Sequence, residues 1–200
     1  MGSLVTLAGC TTWLHAPGHA HRGGMTKHEL RVVTGKACAP GTCSKKGELG
    51  TFRFENVSFF SEDGARTRTR FDIEHEGAHA RCHSDDPGRP LSCTIESGEE
   101  RYLLALGDRC TSGTLASGDH TWVLQTDSVE IGGHVAPSRE VSLSDDTGVV
   151  AHADAGSRDN LDVYTRAGAP VAPAKVVALV AVQAFLQLED LPRACMSQQG

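Results

Sequence analysis

One segment near the end of the chain constrains the fold more than any other. Between Val176 and Leu188 the sequence VVALVAVQAFLQL contains only two polar residues, Gln183 and Gln187, four positions apart. On a helix this spacing places both on one narrow stripe, and a helix that is apolar elsewhere is buried in protein or in membrane. Because a bilayer requires roughly 20 apolar residues and this run is only thirteen residues long, we predict a buried core helix over about 173–189.

The sequence before this helix has the rhythm of short β-strands. Segments such as LSCTIES, RYLLALG, TWVLQTD and LDVYT are separated by Gly, Asp, Ser and Pro. About eleven such segments predict a mostly β domain, an antiparallel barrel or sandwich, over residues 30–200. In GTFRFENVSFF the apolar positions change phase between Phe54 and Val57, and we expect a bulge or bend there.

This order of elements resembles the tubby-like barrel. The resemblance rests on two hairpin-like segments over residues 140–169, which run into the apolar segment at 175–190. It is a likeness to the superfamily of tubby C-terminal domains, phospholipid scramblases and LURP-one-related proteins, and it implies an antiparallel barrel closed around a central hydrophobic helix. It implies no binding residue, and a β-sandwich with a packed terminal helix is the alternative.

The first ten residues, MGSLVTLAGC, carry a targeting pattern. Leu7-Ala8-Gly9-Cys10 resembles the lipobox of bacterial lipoproteins, which implies cleavage before Cys10 and acylation of that cysteine. A secretory signal has a positive n-region, whereas none of the nine residues before Cys10 is Lys or Arg. We therefore interpret residues 1–9 as a signal-peptide remnant with more signal upstream, and 10–29 as a lipidated tether. Thr11 stands where an Asp would mark inner-membrane retention, so an outer-membrane location in the bacterial envelope is expected.

The cysteine count agrees with an oxidising compartment. The chain has seven cysteines, and acylation of Cys10 would leave six, enough for three disulfides. Six cysteines allow 15 pairings. A loop rich in Asp, Pro and Gly between two strand segments favours the first of three predicted pairs, which are Cys82–Cys93, Cys38–Cys43 and Cys110–Cys195.

The segment HEGAH at 75–79 spells the zinc-protease signature. In that signature two histidines on one helical face bind zinc and the glutamate is the general base. His75, Glu76 and His79 would fill these roles, giving a zinc-dependent hydrolase as the alternative function. A second metal hypothesis, without protease activity, uses His79, Cys82 and His83.

The residues around HEGAH favour strands instead. From Arg66 to Glu76, charged residues alternate strictly with Thr, Phe, Ile and His, which is the pattern of a β-strand. Alternation resumes after Gly77, so we predict a hairpin that turns at Glu76-Gly77, with His75 and His79 on opposite arms. Four residues of strand span about 13 Å, too far for one zinc ion whose bonds to nitrogen are about 2.0 Å. We predict no metal site and no catalytic residue.

Other functions have less support. The net charge is -6 and only 5% of residues are aromatic, so nucleic-acid binding is not expected. Ser117, Asp119 and His120 form the string SGDH, which we interpret as a turn rather than a catalytic triad. No cofactor is predicted. The sequence thus predicts a non-enzymatic binding or structural module that contacts a membrane through a lipid anchor.

Overall fold

The computed structural model describes residues 12–13, 24–31, 37–39, 42–47, 50–61, 64–84, 90–107, 110–131, 134–157, 160–168, 171–186 and 195. These residues form fourteen β-strands and one long helix. The strands are β1 (Thr12–Trp13), β2 (Met25–Arg31), β3 (Ala37–Ala39), β4 (Thr42–Gly47), β5 (Gly50–Ser61), β6 (Gly64–His75), β7 (Ala78–Ser84), β8 (Ser92–Ser97), β9 (Glu100–Leu106), β10 (Ser112–Ser117), β11 (His120–Ile131), β12 (His134–Asp145), β13 (Gly148–Ser157) and β14 (Asn160–Arg166). The helix is α1 (Pro173–Leu186).

All strands belong to one antiparallel sheet. From β3 to β14 each strand pairs with the next one along the chain, β2 adds beside β14, and β1 pairs with the last residues of β11. Only five residues separate Arg31 from Ala37, so the two outermost strands, β2 and β3, lie within about 22 Å of each other. A flat sheet of this many strands would be roughly 58 Å wide. The sheet therefore curls, although no ladder joins β2 to β3 in the described residues.

The helix α1 lies on the inner face of this curled sheet. It packs against β6, β7 and β8 and also against β12 and β13. In a flat sheet, β7 and β12 would be about 24 Å apart, whereas a helix with its side chains is only about 10–12 Å across. The sheet must wrap around the helix to contact it from both sides. The predicted mostly β fold with one buried C-terminal helix is confirmed.

Burial is nearly complete along α1. It includes Gln183, the residue of the polar stripe that lies within the described part of the helix. Val177, Leu179 and Phe185 are each at most 1% exposed, and so is Gln183. The Gln183 amide Nε2 donates a hydrogen bond to the carbonyl oxygen of Ala153 on β13, at 3.3 Å. A buried amide requires such a partner, so the polar stripe of the helix ties α1 to the sheet. The other stripe residue, Gln187, lies outside the described residues.

Two sequence predictions change here. The predicted boundary at residue 30 falls inside β2, and Thr12–Trp13 is also a strand, so the sheet uses parts of the segment interpreted as a tether. A bulge or bend is expected between Phe54 and Val57, and the bulge is wrong, because the β5–β6 ladder runs without a shift from the Phe52–Ile73 pair to the Ser61–Gly64 pair.

The sheet has two unlike ends. The hairpin turns at 76–77, 98–99, 118–119 and 146–147 share one end, which we term the entry end because α1 begins there. The turns of β5–β6 and β11–β12 share the opposite end, termed the far end. At the far end these two hairpins project past the shorter strands between them, since β7 reaches only Thr69 of β6 and β10 only Gln125 of β11.

Candidate functional site

The HEGAH segment forms a tight hairpin. His75 ends β6, Ala78 begins β7, and the two face each other across the turn. Glu76 and Gly77 have φ angles of 46° and 79°, as a two-residue type I′ turn requires. The predicted turn at Glu76-Gly77 is confirmed.

The hairpin places the two histidines of the motif on opposite faces of the sheet. His75 pairs with the buried Ala78 on the inner face, whereas His79 pairs with the exposed Glu74 on the outer face. On the outer face His79 Nε2 lies 3.7 Å from Asp72 Oδ1. Two side chains on opposite faces cannot share one zinc ion, so the arrangement that the protease signature requires is not formed.

The second metal hypothesis also fails on geometry. Cys82 is bonded to Cys93 and is buried on the inner face, while His79 lies on the outer face with the exposed His83. A disulfide sulfur is not the thiolate that binds zinc. Within the described part of the chain, no group of three or more His, Cys, Asp or Glu side chains is placed to hold a metal ion.

Two predicted disulfides are present. Cys82 on β7 and Cys93 on β8 are register partners with Cα atoms 4.1 Å apart, and α1 packs against both strands. Cys110 precedes β10 and bonds Cys195 with a Cα separation of 5.1 Å. All four are at most 4% exposed. The first crosslink joins neighbouring strands, whereas the second joins the chain after α1 to the sheet.

The third predicted pair has matching backbone register. Cys38 on β3 lies directly opposite Cys43 on β4, which is the placement that a cross-strand disulfide requires. The bond itself stays a prediction. Cys10, the predicted lipidation site, lies outside the described residues.

A cluster of aromatic and charged side chains at the entry end is the site that sequence reasoning missed. We term it the entry cluster. The Lys175 ammonium of α1 lies 4.2 Å from the ring centre of Trp122 on β11. The rings of Tyr102 and His120 each lie 6.1 Å from the Trp122 ring. The Tyr102 hydroxyl donates a hydrogen bond to the Glu100 carboxylate.

Burial and charge shape this cluster. Burial lowers the pKa of Lys175, an effect that the carboxylates of Asp145 and Glu100 oppose. Burial is also the main cause that raises the pKa of Tyr102 to about 12, and the hydrogen bond to Glu100 and its charge add to it. The pKa of Asp145 is lowered chiefly by the Thr147 hydroxyl, which donates to Asp145 Oδ1 at 2.6 Å. The entry cluster therefore combines a half-buried cation, two carboxylates, a buried Tyr102, a partly exposed Trp122 and an exposed His120.

The sequence contained only part of the signal for this cluster. Trp122 lies two residues before the buried Leu124 and so on the same face of β11. Lys175 is the only charged residue of α1. Their contact joins residues 53 positions apart in the chain, which no local pattern encodes. His120 follows the turn Gly118-Asp119 and pairs with Ser117 across it, so SGDH is the predicted turn.

Comparison with known proteins gives no match: no protein family, no curated protein and no solved structure is similar to this chain.

Proposed function

We propose that the protein is a lipid-anchored, non-enzymatic binding module of the bacterial envelope, held in the outer membrane through Cys10. The observation that supports this best is the distribution of its cysteines. Four of seven form two disulfides, and Cys38 and Cys43 are register partners. If Cys38 and Cys43 also form a disulfide, the one cysteine that remains is Cys10, which ends the lipobox-like Leu7-Ala8-Gly9-Cys10.

Disulfides of this kind persist in oxidising compartments and are rare in the cytosol. Cys110–Cys195 closes a separation of 85 residues and forms only between parts of the chain that the fold brings together. Within the described residues, no helix has the length and hydropathy to cross a bilayer. A lipid on Cys10 would provide the membrane attachment that the proposal requires.

The binding part of the proposal rests on the entry cluster. Small-molecule sites are lined largely by apolar and aromatic side chains with a few placed polar groups, and Trp122, His120 and Lys175 bring two rings and a cation together at the entry end of the sheet. The non-enzymatic part rests on the hairpin that separates His75 from His79 and on the turn that contains Asp119. The tubby-like resemblance stays a prediction about fold and adds no ligand.

Metabolic labelling with an alkyne fatty acid tests the anchor. The protein is expressed with its native leader in a bacterium, and we expect a labelled wild type, an unlabelled Cys10→Ser variant and a labelled Thr11→Ala control. Mature wild-type protein without an acyl group on Cys10 would overturn the proposal.

Thiol counting provides an independent check of the cysteine argument. Denatured but unreduced Cys10→Ser protein should contain no free thiol, as measured by the mass added with a maleimide reagent. Elemental analysis checks the non-enzymatic part: stoichiometric zinc that is lost in both His75→Ala and His79→Ala would contradict it.

A further inference from the structure

Three aromatic rings form one group on the inner rim of the entry end. Tyr102 and Trp122 each lie two residues before a buried leucine, Leu104 and Leu124, so both rings are on the inner face of the sheet. His120 shares this face of β11. The rings of Tyr102 and His120 flank Trp122, each with its centre 6.1 Å away. Because His120 is exposed and Trp122 is partly exposed, a ligand can reach this group from solvent.

Two carboxylates lie beside these rings. Glu100 shares the inner face of β9 with Tyr102, whose hydroxyl donates to it. Asp145 ends β12, and the β11–β12 register, continued by one residue, places it opposite Trp122. The backbone N–H and the hydroxyl of Thr147 both donate to Asp145 Oδ1. Ring faces and carboxylates are both negative, so their combination favours a cation.

The cation in this position is the protein's own Lys175. Its ammonium lies 4.2 Å from the ring centre of Trp122. Within the described residues, the Lys175 side chain makes no hydrogen bond and no ion pair. Burial lowers the pKa of Lys175, and the attraction of Asp145 and Glu100 opposes this shift only in part. An ammonium is strongly hydrated and has three N–H donors, so the cluster itself leaves these donors unsatisfied.

We propose that the entry cluster binds a small quaternary ammonium compound, whose cation takes the place of the Lys175 ammonium over Trp122. This inference deepens the proposed function, since it rests on the entry cluster being the binding site. A quaternary ammonium has no N–H group and needs no hydrogen-bond acceptor, and aromatic rings bind it through the cation–π interaction. Lys175 lies in the first turn of α1, and its flexible side chain can turn into solvent to admit the ligand.

The charges that remain when Lys175 turns away favour a cation over an anion. They are the carboxylates of Glu100 and Asp145 and the guanidinium of Arg166, which donates to the Thr147 hydroxyl and to the carbonyl of Val149. Two negative charges and one positive charge leave an excess of one negative charge. Each of the four turns at the entry end also contains an exposed carboxylate, which would attract a cation from solution. These turn residues are Glu76, Glu99, Asp119 and Asp146.

Titration with choline chloride, followed by nuclear magnetic resonance, tests the inference. Full-length Cys10→Ser protein serves as the unacylated parent, and the indole N–H signal of Trp122 is the reporter. The chain has two tryptophans, so Trp13→Phe in the same background assigns the signal. Choline chloride replaces sodium chloride at constant ionic strength. The matched control ligand is the neutral alcohol in which carbon replaces the choline nitrogen.

We expect choline to shift the Trp122 signal to saturation, and the neutral alcohol to leave it in place. Lys175→Gln removes the competing cation and should lower the Kd for choline by roughly threefold or more. Glu100→Gln removes one carboxylate and should raise the Kd by roughly twofold or more. Lys27→Gln makes the same change as Lys175→Gln on β2, outside the cluster, and should leave the Kd unchanged.

Three results would overturn the inference. The first is a Trp122 signal that choline shifts in neither the parent nor the Lys175→Gln protein. The second is an equal shift with the neutral alcohol, which would assign an apolar ligand to the cluster. The third is a Kd that Lys175→Gln leaves unchanged or raises. Circular dichroism checks that each variant is folded, and Lys175→Met replaces Lys175→Gln if that protein does not fold.

Failure of this inference and failure of the anchor are separable. The titration uses protein that cannot be acylated, so its outcome does not depend on the labelling experiment. Absence of lipid on Cys10 would defeat the proposed anchor and leave the choline result standing. A lipidated protein whose entry cluster does not bind choline overturns the ligand and leaves the anchor in place.

Discussion

The two disulfides of the described core stabilise the fold in different ways. Cys82–Cys93 spans 11 residues and joins neighbouring strands that the β7–β8 ladder already pairs. Cys110–Cys195 spans 85 residues and attaches the chain beyond α1 to the loop before β10. Loop-closure entropy gives about 3 kcal/mol for the first and about 4.5 kcal/mol for the second. The helix, which supplies much of the core, is therefore held by burial, by the Gln183 hydrogen bond and by one long-range crosslink.

Removing the long-range crosslink should have the largest effect. We expect Cys110→Ala/Cys195→Ala to lower the free energy of unfolding by roughly 4 to 5 kcal/mol, because the unfolded chain regains the freedom of the long loop. Urea unfolding followed by circular dichroism measures the change. A smaller loss in the free energy of unfolding than that of the variant without Cys82–Cys93 would reverse the expected order of the two disulfides.

Removing the local crosslink should cost less. Cys82→Ala/Cys93→Ala should lower the free energy of unfolding by roughly 2 to 3 kcal/mol, since β7 and β8 keep their ladder and their contact with α1. Under the same urea titration the two double variants are compared directly. Equal losses would mean that loop length does not decide the contribution of either disulfide.

A single hydrogen bond supports the loop that contains Cys110. The Thr126 hydroxyl donates to the buried carbonyl of Cys110 at 2.8 Å. Thr126→Val leaves that carbonyl without this donor and should cost about 1 to 2 kcal/mol, whereas the exposed Thr114→Val serves as the control with a change near zero. In the variant without Cys110–Cys195, Thr126→Val should lower the free energy of unfolding by less, because the loop can then relax. An equal loss in both backgrounds would show that the hydrogen bond and the crosslink act independently.

The smallest effect is a pH dependence at β9, which lies between the two crosslinked regions in the sheet. The folded state raises the pKa of Tyr102 to about 12, so it favours the neutral phenol. The resulting stability is complete below the ordinary pKa of about 10 and is lost as the pH rises through 12. Absorbance at 295 nm should show one of the two tyrosines ionising late, and Glu100→Gln should bring that transition to lower pH. An unchanged transition would exclude Glu100 as a cause.

Local patterns predicted the parts of the structure that depend on neighbouring residues. The apolar run after Pro173 predicted α1 as a buried helix. A helix with so little polar surface must be enclosed by apolar surroundings. Strict alternation before Gly77 predicted the hairpin, and the turn-rich loop between Cys82 and Cys93 predicted their bond.

The features that sequence reasoning missed depend on distant pairings. Thr12–Trp13 and Met25–Arg31 lie in or beside a segment rich in Gly and His that has no strand pattern of its own, and they become strands by pairing with β11 and β14. The phase change in the sequence of β5 predicts a bulge or bend, whereas the β5–β6 ladder has no shift, because alternation of side chains alone does not determine how a strand pairs with its neighbour. The contact of Lys175 with Trp122 depends on how the sheet curls around α1.

The position of α1 in the chain has a consequence for biosynthesis. A ribosome adds residues from the N-terminus, so all fourteen strands are complete before the residues of α1 emerge. Until then the inner face of the sheet, with Leu104, Leu115 and Leu143, lacks the helix that fills it. A sheet that formed before α1 was available would therefore expose this apolar surface, which is a hazard for aggregation.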